Sequence, residues 1–236
     1  MPNTKLKYYQ VSENAIEIGW PTSDGSVWLE RHKMALGLER FYGDQVVVNE
    51  GYFSILVIFK KPIGQYQERL KELSSMSCNL ENIQGFQGTK WQIPVLYDRD
   101  SEDLLSISKH TLLTFESIVK MHGQAIYTVE FIGFLPGFPY LSGLPEKLQV
   151  PRRKTPNPSI ASGSVAIAAG QCGVYPQTSP GGWYVLGKSP LEFFDVHREQ
   201  PNLLSIGDEV SFYEINQQEY DRIKNGRLNV KEFSNE

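Results

Sequence analysis

One stretch matches a phosphate-binding pattern. Gly182-Trp183-Tyr184-Val185-Leu186-Gly187-Lys188-Ser189 satisfies G-x-x-x-x-G-K-S. A working phosphate loop must curl so that successive N–H groups aim at one phosphate, then launch a helix. Trp-Tyr-Val-Leu favours a pleated strand instead, so the match reads as coincidence. Metal chemistry has little support: His32, His110, His122 and His197 show no i, i+4 pair and no ligand spacing with Cys78 or Cys172. His122 falls on the apolar face of a predicted helix, as a core or groove-edge histidine making one hydrogen bond. Cys172 is a nucleophile only if a nearby cation lowers its pKa, and a buried apolar cysteine is the commoner case. Ser164 follows Gly163 without a G-x-S-x-G elbow. Arg152, Arg153 and Lys154 follow Pro151 and suit either a small acidic ligand or a solvated basic loop.

The strongest signal is the density of residues that set the backbone. Residues 132–190 hold 9 Gly and 9 Pro, including Gly133-Phe134-Leu135-Pro136-Gly137-Phe138-Pro139-Tyr140 and Ser179-Pro180-Gly181-Gly182-Trp183. Pro fixes φ near −65°, and Gly reaches positive φ without the penalty of a side chain, so each loop should hold one shape. Phe134, Phe138, Tyr140, Tyr175 and Trp183 then either wall an aromatic groove or pack as a structural corner.

The elements that must position these loops follow from periodicity. Near the amino terminus the order is a strand (15–20), a helix (26–42) with Val27, Met34, Leu38 and Phe41 inward, strands at 45–49 and 52–59, then a helix carrying Ile63, Tyr66, Leu70 and Leu73. This is an α+β unit. Beyond it, Trp91–Tyr97 reads as extended, with two short helices capped by Ser101 and Thr114. Short strands are expected at 127–132, 164–169, 183–186, 191–196 and 209–215, a pattern that fits a barrel or sandwich. A last helix begins at an Asn216/Glu219 capping box. The division is placed at 1–88 and 89–236.

The chain has 236 residues and a net charge of −4, with acidic and basic residues mixed along it. That length suits two units, and the charge gives no surface for tracking nucleic-acid phosphates. Two cysteines, no apolar leader and a most apolar stretch only seven residues long (Phe53–Phe59, with Ser54 inside it) point to a cytoplasmic protein with reduced thiols and no membrane span.

The stretches GFLPGFPYLSGLPEKLQVPRRKTP and GSVAIAAGQCGVYPQTSPGGWYVLGKSP resemble the signature of the family of KipI and the 5-oxoprolinase B subunits, also called allophanate hydrolase subunit 1. The likeness continues upstream through IPVLYD, the SILVIF strand and the IEIG strand. It implies a small α+β amino-terminal domain followed by a cyclophilin-like β-barrel. It also implies one component of a heteromeric, ATP-dependent 5-oxoprolinase that opens 5-oxo-L-proline to L-glutamate and is inactive alone. The partners would be the ATP-using component of the 5-oxoprolinase and a second carboxyltransferase-like chain. ATP belongs to the assembled enzyme, with its binding to this chain left open, and no metal or biotin is expected on this chain. The alternative is a KipI-like inhibitor that binds a sporulation histidine kinase through the barrel, and the third is a component of the allophanate hydrolase or urea carboxylase type.

By position, His122 and Tyr127 match the family's entry from helix to strand, and Phe134, Pro136, Gly137, Phe138, Pro139 and Tyr140 its Pro-Gly loop. Arg152 and Arg153 match its basic turn, and Gln171, Tyr175, Ser179, Gly181, Gly182 and Trp183 its second loop. Lys188 stands where the family usually has Arg. No catalytic residue is assigned. The chain departs from the pattern at Asn157, at Ile160-Ala161-Ser162-Gly163-Ser164 and at Cys172, losing one guanidinium and one rigid Pro.

Overall fold

A computed structural model describes residues 6–21, 27–77, 88–226 and 233–235. They fall into two compact units, divided between residues 86 and 87. Cys78 and most of the turn at 21–25 lie outside the described residues.

The first unit is an antiparallel sheet of β1 (Lys7–Ser12), β2 (Ala15–Gly19), β3 (Val46–Glu50) and β4 (Ser54–Phe59), in the order β1-β2-β4-β3. Helices α1 (Val27–Tyr42) and α2 (Tyr66–Ser77) supply the rest of its core. Ile16 and Ile18 of β2 alternate inward with Ile55, Val57 and Phe59 of β4 and meet Met34, Leu38 and Leu73 from the helices. Strand β1 was not expected, because an almost fully exposed edge strand carries no apolar alternation. Phe41 is exposed, and the inward position falls to Tyr42. Arg31 also lies on the buried face, with its Nη1 donating to the Tyr52 carbonyl and its Nε 3.5 Å from Glu50.

The second unit is a closed barrel. Its strands are β5 (Lys90–Tyr97), β6 (Tyr127–Ile132), β7 (Pro139–Ser142), β9 (Ser164–Ala168), β10 (Gln171–Val174), β12 (Tyr184–Lys188) and β13 (Glu209–Glu214). They run β12-β9-β10-β7-β6-β13-β5, and β5 pairs back onto β12 through Tyr97 with Gly187 and Leu96 with Lys188. β13 and β5 are parallel; the other neighbours in the ring are antiparallel. A ribbon of β8 (Asn157–Ile160) and β11 (Ser179–Gly181) lies outside the ring, and β14 (Ser234–Asn235) pairs with β5. Helices α3 (Glu102–Thr111), α4 (Phe115–Gln124) and α5 (Gln217–Asn225) start at side-chain caps from Ser101, Thr114 and Asn216, the last in a complete capping box with Glu219. The α+β unit and the barrel are thus both present. Residues 191–196 are irregular, with a single bridge from Phe194 to Asn202.

Closure depends on Gly187. A Cβ there would lie 2.6 Å from the Leu96 carbonyl oxygen. The register between β12 and β9 slips between Val185 and Gly187, and the Val185 N–H donates to Asp103 Oδ2 at 2.9 Å. Asp103, in the first turn of α3, also pairs through Oδ1 with the Arg153 guanidinium. Arg153 lies over the Tyr184 ring, and its backbone N–H donates to the Gly182 carbonyl at 2.8 Å. One carboxylate therefore joins a helix, the closing strand and the basic turn.

His122 is wholly buried in the barrel core. Its Nδ1 is 2.7 Å from the Tyr97 hydroxyl and its Nε2 3.5 Å from Cys172 Sγ, while Phe212 stacks on the ring at 4.5 Å. The Tyr127 hydroxyl donates to the His122 carbonyl at 3.2 Å. Burial pulls the imidazole pKa down to about 3 and pushes the Cys172 thiol and both phenols up. All four groups stay neutral, and Cys172 is a packing residue rather than a thiolate.

Two outcomes test these contacts. Asp103→Ala removes both the acceptor and the countercharge and should lower the barrel's unfolding free energy by about 2–4 kcal/mol in denaturant. Asp103→Asn keeps an acceptor for Val185 and should cost about half as much. For His122, the unfolded chain takes up a proton near pH 6.5, whereas the native chain does so only near pH 3. Its contribution is therefore complete above pH 6.5 and is lost as pH falls toward 3. Between pH 7 and 5 the native protein should lose about 2 kcal/mol relative to His122→Gln, read from paired melting curves.

Candidate functional site

The Pro-Gly loop between β6 and β7 is fixed by its own backbone. The Phe138 N–H donates to the Leu135 carbonyl at 3.0 Å, and the Gly133 N–H to the Phe138 carbonyl at 3.1 Å. Gly137 has φ +79°, and a Cβ on it would lie 2.6 Å from Phe194 Cβ, so both conformation and space demand glycine. Phe134 has φ +68° and is 61% exposed, a strained non-glycine residue at the loop tip. Pro136 is exposed beside it, and Pro139 begins β7.

The aromatic residues do meet, but as a packed corner. Phe138 is 1% exposed and contacts the rings of Phe134, Tyr140, Tyr175 and Trp183 at centroid distances of 4.9–5.6 Å. Phe138, Tyr175 and Trp183 fill the angle between the loops, over Ala166 and Ala168 of β9. Their surroundings are small by necessity: a Cβ on Gly173 would approach Phe138 Cζ to 2.8 Å, and one on Gly181 would reach the Tyr175 hydroxyl at 2.2 Å. Gly182 has no such constraint, with its nearest neighbour at 3.9 Å.

At the corner's edge lie the groups able to act on a ligand. Arg152 is exposed and makes no ion pair or hydrogen bond among the described residues. Burial pushes the Tyr175 phenol up to about 12 and raises Tyr140 as well, while the Arg152 charge opposes both shifts and so lies near both phenols. Tyr175 is 2% exposed, and its hydroxyl has no hydrogen-bond partner among the described residues. Arg152 and Tyr175 together offer a cation and a protonated donor. Arg153 is committed to Asp103, and His122 and Tyr127 belong to the barrel core. Gln171 and Ser179 are half-buried; Gln171 pairs with Ala168 in the ladder, and Ser179 Oγ donates to the Pro180 carbonyl.

A cavity of about 520 Å³ opens elsewhere on the barrel, lined by Leu96, Asp98, Ser101, Ser164, Leu186, Lys188 and Gln217 among others. Of the residues singled out for the groove, Lys188 alone lines it. The G-x-x-x-x-G-K-S stretch is strand β12, as its side chains require, and its second glycine serves barrel closure. Sequence reasoning missed Asp103, because an acidic residue in a first helical turn is commonplace. It weighed Ser164 only as a nucleophile and found no elbow to support that role, and nothing local marks Ser101 or Gln217 as its neighbours. Among the described residues no group of three His, Cys, Asp or Glu side chains could hold a metal ion, and no helix is long and apolar enough to cross a membrane.

Comparison with known proteins places this geometry. The chain is 36% identical over 203 residues to the 5-oxoprolinase B subunit of Haemophilus influenzae, a match that covers 86% of this chain and 94% of the relative. The crystal structure of TTHA0988 superposes with a TM-score of 0.72 at 30% identity, covering 86% of this chain and 40% of that longer one. The Kluyveromyces lactis urea amidolyase shares the fold, with a TM-score of 0.72 at 18% identity, over 98% of this chain and 17% of that one. Residues 7–204 match the carboxyltransferase domain, subdomain C and D, and the chain belongs to that family.

Proposed function

We propose that the chain is the B-type component of a heteromeric 5-oxoprolinase, which opens the lactam of 5-oxo-L-proline to L-glutamate at the expense of ATP. The likeness to a 5-oxoprolinase B subunit across nearly that protein's whole length carries this reading. A lactam carbonyl is a poor electrophile. Phosphoryl transfer from ATP to its oxygen makes the carbon open to water; the ring C–N bond then breaks as the nitrogen takes a proton, leaving an acyl phosphate, and a second water displaces phosphate to give the free carboxylate. Such a sequence needs cations and donors for the developing oxyanion and for the substrate carboxylate. Arg152 and the Tyr175 hydroxyl are suited to that role, presented at the edge of a rigid corner. ATP is handled by a partner chain, and a second carboxyltransferase-like chain completes the site. The complex works in the cytoplasm.

The test combines the full chain with its two candidate partners and follows ATP-dependent glutamate release. Omitting this chain should abolish release, and unchanged release would overturn the assignment. Within the complex, Arg152→Ala should lower kcat/KM for 5-oxoproline about 10- to 100-fold, the loss of one charge-assisted hydrogen bond. Its melting temperature should be unchanged, because the side chain is exposed and makes no ion pair among the described residues.

A further inference from the structure

Ser164 and Lys188 are direct cross-strand partners at the start of β9 and the end of β12, so their Cβ atoms lie about 5 Å apart on one face of the sheet. Both line the 520 Å³ cavity. Ser164 is 5% exposed, and its hydroxyl has no hydrogen-bond partner among the described residues. Although the residue is largely enclosed, its Oγ is not a sealed, unsatisfied atom: it is reached from the cavity and is free to bond there. The Lys188 ammonium likewise has no carboxylate partner among the described residues, although it is half-buried.

Two helix starts add to the same field. Ser101 is the cap of α3 and Gln217 the first residue of α5, and both line the cavity, which brings the positive ends of two helices to it. Asp98 lines it too, exposed, with its carboxylate accepting the Asp100 N–H at 3.2 Å. The volume is many times that of one water and falls in the range of small-molecule sites, and Leu96, Val185 and Leu186 supply apolar wall.

We propose that this cavity binds a small organic anion whose carboxylate or phosphoryl group sits between Lys188 Nζ and Ser164 Oγ. The ligand's uncharged body lies against the apolar wall. The inference draws nothing from the 5-oxoprolinase reading or from Arg152, and binding is measured on the chain alone, so either can fail without the other.

The test titrates the full chain with acetate and with inorganic phosphate at constant ionic strength, against chloride, and follows backbone amide shifts by NMR. Saturable shifts centred on Ser164 and Lys188, in the millimolar range and absent with chloride, are expected for at least one anion; which one saturates identifies the carboxylate or phosphoryl source. Lys188→Gln should weaken binding about tenfold or more, Ser164→Ala several-fold, and Lys188→Arg should retain it. No saturation by either anion, or undiminished binding by a folded Lys188→Gln protein, would overturn the proposal.

Discussion

Barrel closure is the constraint on which the rest of the second unit depends. For β12 to meet β5, the Leu96 carbonyl must approach the backbone of residue 187 more closely than any side chain allows, and glycine is the only solution. The register slip that accompanies this closure leaves the Val185 N–H bonded to a side chain, Asp103 Oδ2. Because that carboxylate is largely buried, it needs a countercharge, which Arg153 provides. Holding Arg153 fixes the basic turn and, through the bond to the Gly182 carbonyl, the second loop. Arg152 is the residue next to that anchor. A backbone contact at the seam of the barrel thus determines where an exposed guanidinium is presented.

How far the sequence discloses this depends on how local each determinant is. The caps at Ser101, Thr114 and Asn216 and the apolar alternation of β4 act within a few residues of themselves, and they can be read directly. Strands β7, β8, β10 and β11 are short and interleaved with Gly and Pro, so their pairing partners, rather than their own patterns, make them strands. Tyr42 takes the inward place expected of Phe41, because at a helix end adjacent positions differ by only about 100° and the periodic pattern does not decide which aromatic faces the core. The loops' fixed shapes were legible from their Gly and Pro, but the choice between groove and corner was not. That choice turns on whether Ala166, Ala168 and Gly173 leave room for Phe138 to pack down onto the sheet, and they do. The cavity was still less accessible, since Ser164, Lys188, Ser101 and Gln217 come from four places in the chain that only closure brings together.

The filled corner and the open cavity share one sheet face, and their difference follows from side-chain size. Strand β9 places Ser164, Ala166 and Ala168 on alternate positions and hence on the same side. Above Ala166 and Ala168 the rings of the two loops pack to exclusion of solvent. At Ser164 the cross-strand neighbour is Lys188, not an aromatic residue, and the surface opens. Rings packed edge to face resist rearrangement, because each contact is shared with three others around Phe138. The corner therefore acts as a rigid wall rather than as a receptacle. It fixes the backbone that carries Arg152 and the Tyr175 hydroxyl, and it spares no volume for a ligand of its own. The space beside Ser164, by contrast, has the volume to receive a small molecule on the barrel itself. A ligand that uses Arg152 meets charge and a donor at the exposed edge of packed rings.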